Sequence, residues 1–199
     1  MQLSGNTLDR LCDDGEFILY RAHRKQIELP SVLLLAPAST RPSPETLKKI
    51  DHEYSLRSEL DPAWPVRSLA LSERGAQMSS PVLEDPSGET LDGFLSRAME
   101  MTQLLGFAVG LATALTGVHK RELIHKDLKP ANILVNIATG EVRLRGFGIA
   151  SRLPRERQTS EPPEFIAGTL LYMAPEQTGR MNRSIDSQCD LYAPGRDVF

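Results

Sequence analysis

Cysteine is scarce in this chain. Cys12 and Cys189 are the only two, far apart and without a metal-ligand spacing, which excludes a disulfide framework or a zinc knuckle and predicts two reduced cytosolic thiols. An excess of positive charge is also missing. The formal net charge is -3, so neither a nucleic acid nor an anionic membrane is expected as a partner. No apolar run reads as long enough to span a bilayer, so no membrane partner is expected either. The first residues, Met1-Gln2-Leu3-Ser4-Gly5, lack a basic segment followed by an apolar one, so no signal peptide is expected. No internal repeat is visible. What remains is ordinary for a soluble, intracellular, globular protein: 40% hydrophobic and 25% charged residues in a chain of 199. The expected location is cytoplasmic.

The patterning divides the chain. Phe17-Ile18-Leu19-Tyr20 and Ser31-Val32-Leu33-Leu34-Leu35 are short apolar runs between polar or turn residues, and read as strands. Pro37, Pro42 and Pro44 end the second. A helix is predicted from about Glu45 to Glu59, started by Ser43 or Pro44, with Leu47, Ile50, Tyr54 and Leu56 as its apolar stripe. Arg67–Ala70 and Pro81–Glu84 read as two more strands. Asp85-Pro86-Ser87-Gly88 has linker composition. Beyond it the pattern turns helical. Leu91–Leu95 makes a short helix. A long one follows over Thr102–Arg121, with Leu105, Ala108, Leu111, Ala112, Leu115 and Val118 at helical spacing. Ile133-Leu134-Val135 and Val142-Arg143-Leu144 read as a strand pair around the turn Ala138-Thr139-Gly140. Residues 153–167, rich in Pro, Glu and Arg, predict an exposed loop. Thr159 and Ser160 lie in it as candidate phosphorylation sites or plain polar loop residues. The expected division is a small β-rich lobe over 1–85 and a mainly helical part over 86–199.

The chemistry concentrates in His125-Lys126-Asp127-Leu128-Lys129-Pro130-Ala131-Asn132, in a loop between the long helix and a strand. Phosphoryl transfer needs such a set. A carboxylate accepts the hydroxyl proton, a nearby ammonium reaches the moving phosphate, and an amide oxygen reaches a metal ion beside the phosphates.

These residues resemble the catalytic loop of eukaryotic-type Ser/Thr protein kinases. The resemblance implies a two-lobed α+β kinase fold with an incomplete helical lobe, ATP and Mg²⁺ as cofactors, and a protein substrate. It implies Asp127 as base, Lys129 at the γ-phosphate and Asn132 as a Mg²⁺ ligand. Gly168-Thr169-Leu170-Leu171-Tyr172-Met173-Ala174-Pro175-Glu176 resembles the substrate-docking loop, and Thr169 matches the residue that bonds near the catalytic Asp and Lys. Glu53 matches the Glu that pairs with the ATP-binding lysine. Glu84 and Asp85 fall at the adenine hinge, and Leu134 at the floor of the adenine site. Asp190 matches the Asp that holds the backbone of the catalytic loop. The wording of 147–156 and 173–183 resembles one subgroup, bacterial multi-domain sensors that begin with a kinase-like domain and continue into an ATPase, a GAF domain and a histidine kinase. A histidine kinase module is therefore an implied partner.

Three departures accompany the resemblance. Asp-Phe-Gly is replaced by Gly146-Phe147-Gly148, which removes a metal-binding carboxylate. The strand motif Val-Ala-x-Lys is replaced by Val32-Leu33-Leu34-Leu35 and has no lysine. Lys25, with Arg21 and Arg24, is the nearest upstream cation. The glycine-rich loop keeps only Gly15, beside an acidic pair, Asp13 and Asp14, that repels phosphate. Finally, a complete kinase continues for about a hundred residues past Asp190. The helices expected there would cover apolar faces that are otherwise open to water. The ending Ala193-Pro194-Gly195-Arg196-Asp197-Val198 is what one extra base makes of codons for a family-like Leu-Gly-Val-Thr-Phe, so a frameshift is expected. Three functions stay in play: a Ser/Thr kinase, a pseudokinase that binds and regulates, and a non-functional remnant.

Overall fold

The computed structural model describes residues 6–24, 30–74, 78–95, 97, 99–152, 169–178 and 185–197. Lys25, Thr159, Ser160 and Gly168 lie outside them.

Five strands form an antiparallel sheet: β1 (Asn6–Asp13), β2 (Phe17–Arg24), β3 (Val32–Pro37), β4 (Ser68–Arg74) and β5 (Met78–Glu84). Their spatial order is β1-β2-β3-β5-β4. Leu19 faces Leu35 across the β2–β3 pair, and Leu33 faces Leu83 across β3–β5. All four are buried. They line one face, as the period-2 geometry of strands requires.

Helix α1 (Pro44–Ser55) follows β3. Ser43 caps it by accepting the Thr46 amide at 3.1 Å, and Pro44 sits in the first turn, where its missing N–H costs nothing. Its buried residues are Thr46, Ile50 and Glu53. Leu47, expected in the apolar stripe, is only half-buried, because the stripe is rotated to bring Glu53 inward.

The second part begins with β6 (Glu89–Thr90), α2 (Leu91–Leu95) and α3 (Met101–Lys120). Short strands β7 (Leu123–Ile124), β8 (Ile133–Asn136), β9 (Glu141–Leu144) and β10 (Ser151–Arg152) flank the loops, and α4 (Cys189–Asp197) comes last. β6, β8 and β9 form one small sheet, and β10 pairs with β7. The fold is α+β with two lobes. The larger core gathers Phe107, Leu111, Leu115 and Val118 of α3 around Trp64, Leu128, Leu144 and Phe147. Cys12 and Cys189 are free and buried.

Helix α3 corrects two expectations. It has twenty residues, and an 18-residue window of it has a mean hydropathy of 1.5, so among the described residues one helix is long and apolar enough to cross a bilayer by length and composition. Leu105 and Ala112, expected in the buried stripe, are exposed. Met101, Leu105 and Val109 instead form an open apolar row along the helix, at the i, i+4, i+8 spacing of one face.

Candidate active site

The loop after β7 is held by one buried carboxylate. Asp190 accepts the amides of His125 at 2.9 Å and Lys126 at 2.8 Å, and lies 2.9 Å from His119 Nε2. This matches the role expected of it. Lys126 adopts a left-handed φ of 68°, which a side chain disfavours. Asp190 on its amide and Gln177 Nε2 on its carbonyl, at 2.8 Å, pin that conformation. Burial pushes the Lys126 ammonium below its usual pKa. The reversal turns the following residues into the space between the lobes.

There Asp127, Lys129 and Thr169 form one network. Asp127 Oδ1 accepts the Thr169 amide at 3.1 Å and its hydroxyl at 3.2 Å. Lys129 Nζ donates to Thr169 Oγ1 at 3.0 Å and lies 3.4 Å from Asp127 Oδ2. Asn132 Nδ2 donates to the Asp127 carbonyl at 2.8 Å and to its Oδ2 at 3.2 Å. The four residues expected in this loop and its docking partner are therefore brought together.

One partner was not expected there. Asp14, from the β1–β2 turn, lies 2.9 Å from Lys129 Nζ, and both side chains are almost fully buried, at 7% and 6% exposure. Burial pushes the Asp14 carboxyl up, but Lys129 and the Phe17 amide outweigh it and hold the pKa below the usual value. Burial likewise pulls Lys129 down, and Asp127 with Asp14 outweigh it and hold the ammonium pKa above its usual value.

The nucleotide side differs from expectation more strongly. Leu35, the fourth residue of the degenerate strand motif, is buried and carries no charge. Glu53 is buried, no lysine pairs with it among the described residues, and its carboxylate accepts the Gly146 amide at 3.2 Å. Burial pushes its pKa up, with Arg145 offsetting part of the effect. Arg145 was missed by the sequence reading. It is 1% exposed, donates Nε to the Ala131 carbonyl at 3.0 Å, and places Nη2 3.4 Å from Cys12 Sγ. Its one sequence signal was a charged residue directly before Gly146, just past the end of β9.

The side chains of Glu84 and Asp85 are both engaged within the protein. Glu84 is paired with Arg67 at 2.6 Å. Asp85 binds Arg21 at 2.7 and 3.1 Å, Ser31 Oγ at 2.5 Å and the Ser87 amide at 2.9 Å. Its side chain therefore ties the linker to β2. Leu134 is buried where an adenine floor is expected, but it packs directly with Leu19, Leu33, Leu83 and Ala131. The cavity left among Asp14, Lys49, Glu53, Asp127, Arg145 and Gly146 is about 20 Å³, room for about one water.

A magnesium ion needs several oxygen ligands in near-octahedral array. Gly146 offers no side-chain oxygen. Its φ is +84°, and a Cβ there would stand 2.5 Å from Asn132 Nδ2, so the Asn132 amide fills the space of the missing side chain. Among the described residues no group of three His, Cys, Asp or Glu converges on a metal position. These residues do not fit a Mg²⁺ ion.

A two-lobed α+β fold whose inter-lobe loop gathers an Asp, a Lys, an Asn and a docking-loop Thr defines the protein-kinase class. The family model described as "Protein kinase domain" matches residues 38–198, and the chain belongs to that family. It is 31% identical over 116 residues to a probable serine/threonine-protein kinase of Streptomyces coelicolor, covering 57% of this chain and 17% of that protein. It is 31% identical over 131 residues to the probable serine/threonine-protein kinase PknB of Bifidobacterium longum, covering 64% of this chain and 19% of that one. It is 27% identical over 177 residues to mitogen-activated protein kinase kinase 7 of Arabidopsis thaliana, covering 88% and 54%. The chain thus spans well under two thirds of the length of each.

Proposed function

We propose that this chain is a pseudokinase, a kinase-fold binding and regulatory module that keeps the substrate-facing loop and lacks metal-dependent phosphoryl transfer. The observation that carries this reading is Gly146. Where the family supplies a metal-binding carboxylate, this chain supplies a hydrogen atom, and Asn132 closes the gap. Leu35 supports the same reading, since the cation that would orient the nucleotide phosphates is absent from β3. We take residues 1–85 as the sheet-bearing lobe and 86–199 as a partial second lobe. Its partner is then a signalling protein, and the subgroup wording of 147–156 and 173–183 favours a histidine kinase module.

A second reading is favoured by the Asp127–Thr169–Lys129 network. In it the domain phosphorylates protein Ser or Thr from ATP, with Asp127 taking the hydroxyl proton and Lys129 at the transferring phosphate. A transfer assay decides between them. The protein is incubated with γ-labelled ATP, Mg²⁺ and a generic protein substrate, alongside Asp127→Asn. The pseudokinase reading expects equal background label in both. Label in the wild type that disappears in Asp127→Asn establishes the enzyme.

A further inference from the structure

The turn between β1 and β2 carries two carboxylates, and each reaches a lysine from a different part of the fold. Glu16 binds Lys49 of α1 at 2.7 and 2.9 Å. Asp14 binds Lys129 of the catalytic-type loop at 2.9 Å. The turn is built for this. Asp14 Oδ1 accepts the amides of Glu16 at 3.0 Å and Phe17 at 2.7 Å, which fixes the carboxylate and leaves Oδ2 aimed at Lys129. Gly15, with φ +86°, permits the reversal, and Asp13 Oδ1 holds its amide at 2.9 Å.

The position of Asp14 Oδ2 is chemically informative. It is an anionic oxygen on the ammonium that the fold points at the inter-lobe space, and it is buried. With the turn lifted, Lys129 would lose its Asp14 partner beside a cavity lined by the cations Lys49 and Arg145, whose remaining acids are Glu53 and Asp127. That balance favours an anion with several oxygens and offers no carboxylate array for a divalent metal.

We propose that Asp14 is an internal competitor for a phosphate site beside Lys129, so that the β1–β2 turn latches the cleft shut and a nucleotide polyphosphate, taken without a divalent metal, releases it. This rests on the reading of the domain as a binding module. Asp14→Asn keeps the shape and the turn-capping oxygen but removes the competing charge. The probe is ATP in EDTA, titrated by calorimetry.

Asp14→Asn is expected to bind ATP at least tenfold more tightly than the wild type. Adding Lys129→Met to that variant is expected to erase the gain. Equal ATP affinity in the wild type and a folded Asp14→Asn overturns the latch, as does a gain that survives Lys129→Met. Should Asp14→Asn fail to fold, amide exchange in the wild type decides. Millimolar ATP in EDTA is expected to speed exchange at Gly15, Glu16 and Phe17, and unchanged exchange overturns the proposal. The two readings fail separately. Phosphoryl transfer by the wild type removes the pseudokinase and leaves these binding results standing, whereas unchanged affinity removes the latch alone.

Discussion

Asn132 and Gly146 share one small space: a Cβ on Gly146 would fall 2.5 Å from Asn132 Nδ2 and 2.6 Å from its Cγ. The missing side chain is therefore more than a lost ligand. Its absence lets Asn132 lie over the glycine while bonding Asp127. Gly146→Ala is expected to destabilise the fold by about 2 kcal/mol, combining the left-handed φ with the clash. Asn132→Ala in the same chain should recover about 1 kcal/mol of that loss. Urea melts of the two single variants and the double variant measure this coupling. Strict additivity would show that Asn132 is not what fills the space.

Asp190 organises the loop that bears the candidate chemistry. It is 1% exposed and holds two backbone amides and His119. Removing it leaves buried donors without a partner. Asp190→Ala is expected to cost about 3–5 kcal/mol, and Asp190→Asn less, since an amide oxygen still accepts one bond. Equal costs in chemical denaturation would show that one amide oxygen does not substitute and that the full carboxylate is required.

The helices and most strands were legible in the sequence because their apolar periods are local. Ser43 and Pro44 marked the start of α1, and the spacing of Leu111, Leu115 and Val118 marked α3. Strand β1 was not legible. It is an edge strand with exposed Leu8 and polar neighbours, and only its pairing with β2 makes it a strand. The site divides the same way. Asp127, Lys129 and Asn132 were legible because their chemistry lies within six consecutive residues. The contacts Asp14–Lys129 and Cys12–Arg145 were not, since the second spans 133 positions and nothing local encodes it. The glycine-rich-loop reading had Asp14 repelling phosphate, and the fold adds the cation that draws it in.

Glu53 gives a pH test. Burial raises its folded pKa above the unfolded value of about 4.3, so its contribution falls as pH rises from about 4 through the folded pKa. Glu53→Gln removes a buried ionisable group and can still accept the Gly146 amide. It is expected to raise stability at pH 7 by about 1 kcal/mol, with the gain fading toward pH 4. Thermal melts across that range check it. A loss of stability at pH 7 would mean that the Glu53 charge is needed.

Asp85 has the opposite sign. Burial pushes its pKa up, but Arg21, Ser31 and the Ser87 amide outweigh this and lower it. Its stabilisation is present above the unfolded pKa of about 3.9 and is lost as pH falls through the folded value. Asp85→Asn is expected to cost about 1–3 kcal/mol at pH 7, and the difference from wild type should shrink below about pH 4. A difference that stays constant into acid would show that the carboxylate charge is not what binds the linker to β2.

The most direct measurement is the melting temperature of the wild type with ATP in EDTA against ATP with saturating Mg²⁺. With Gly146 at the metal position, Mg²⁺ is predicted to add no stabilisation beyond that of ATP alone. A rise in melting temperature that appears only with Mg²⁺ and grows with its concentration would contradict the account.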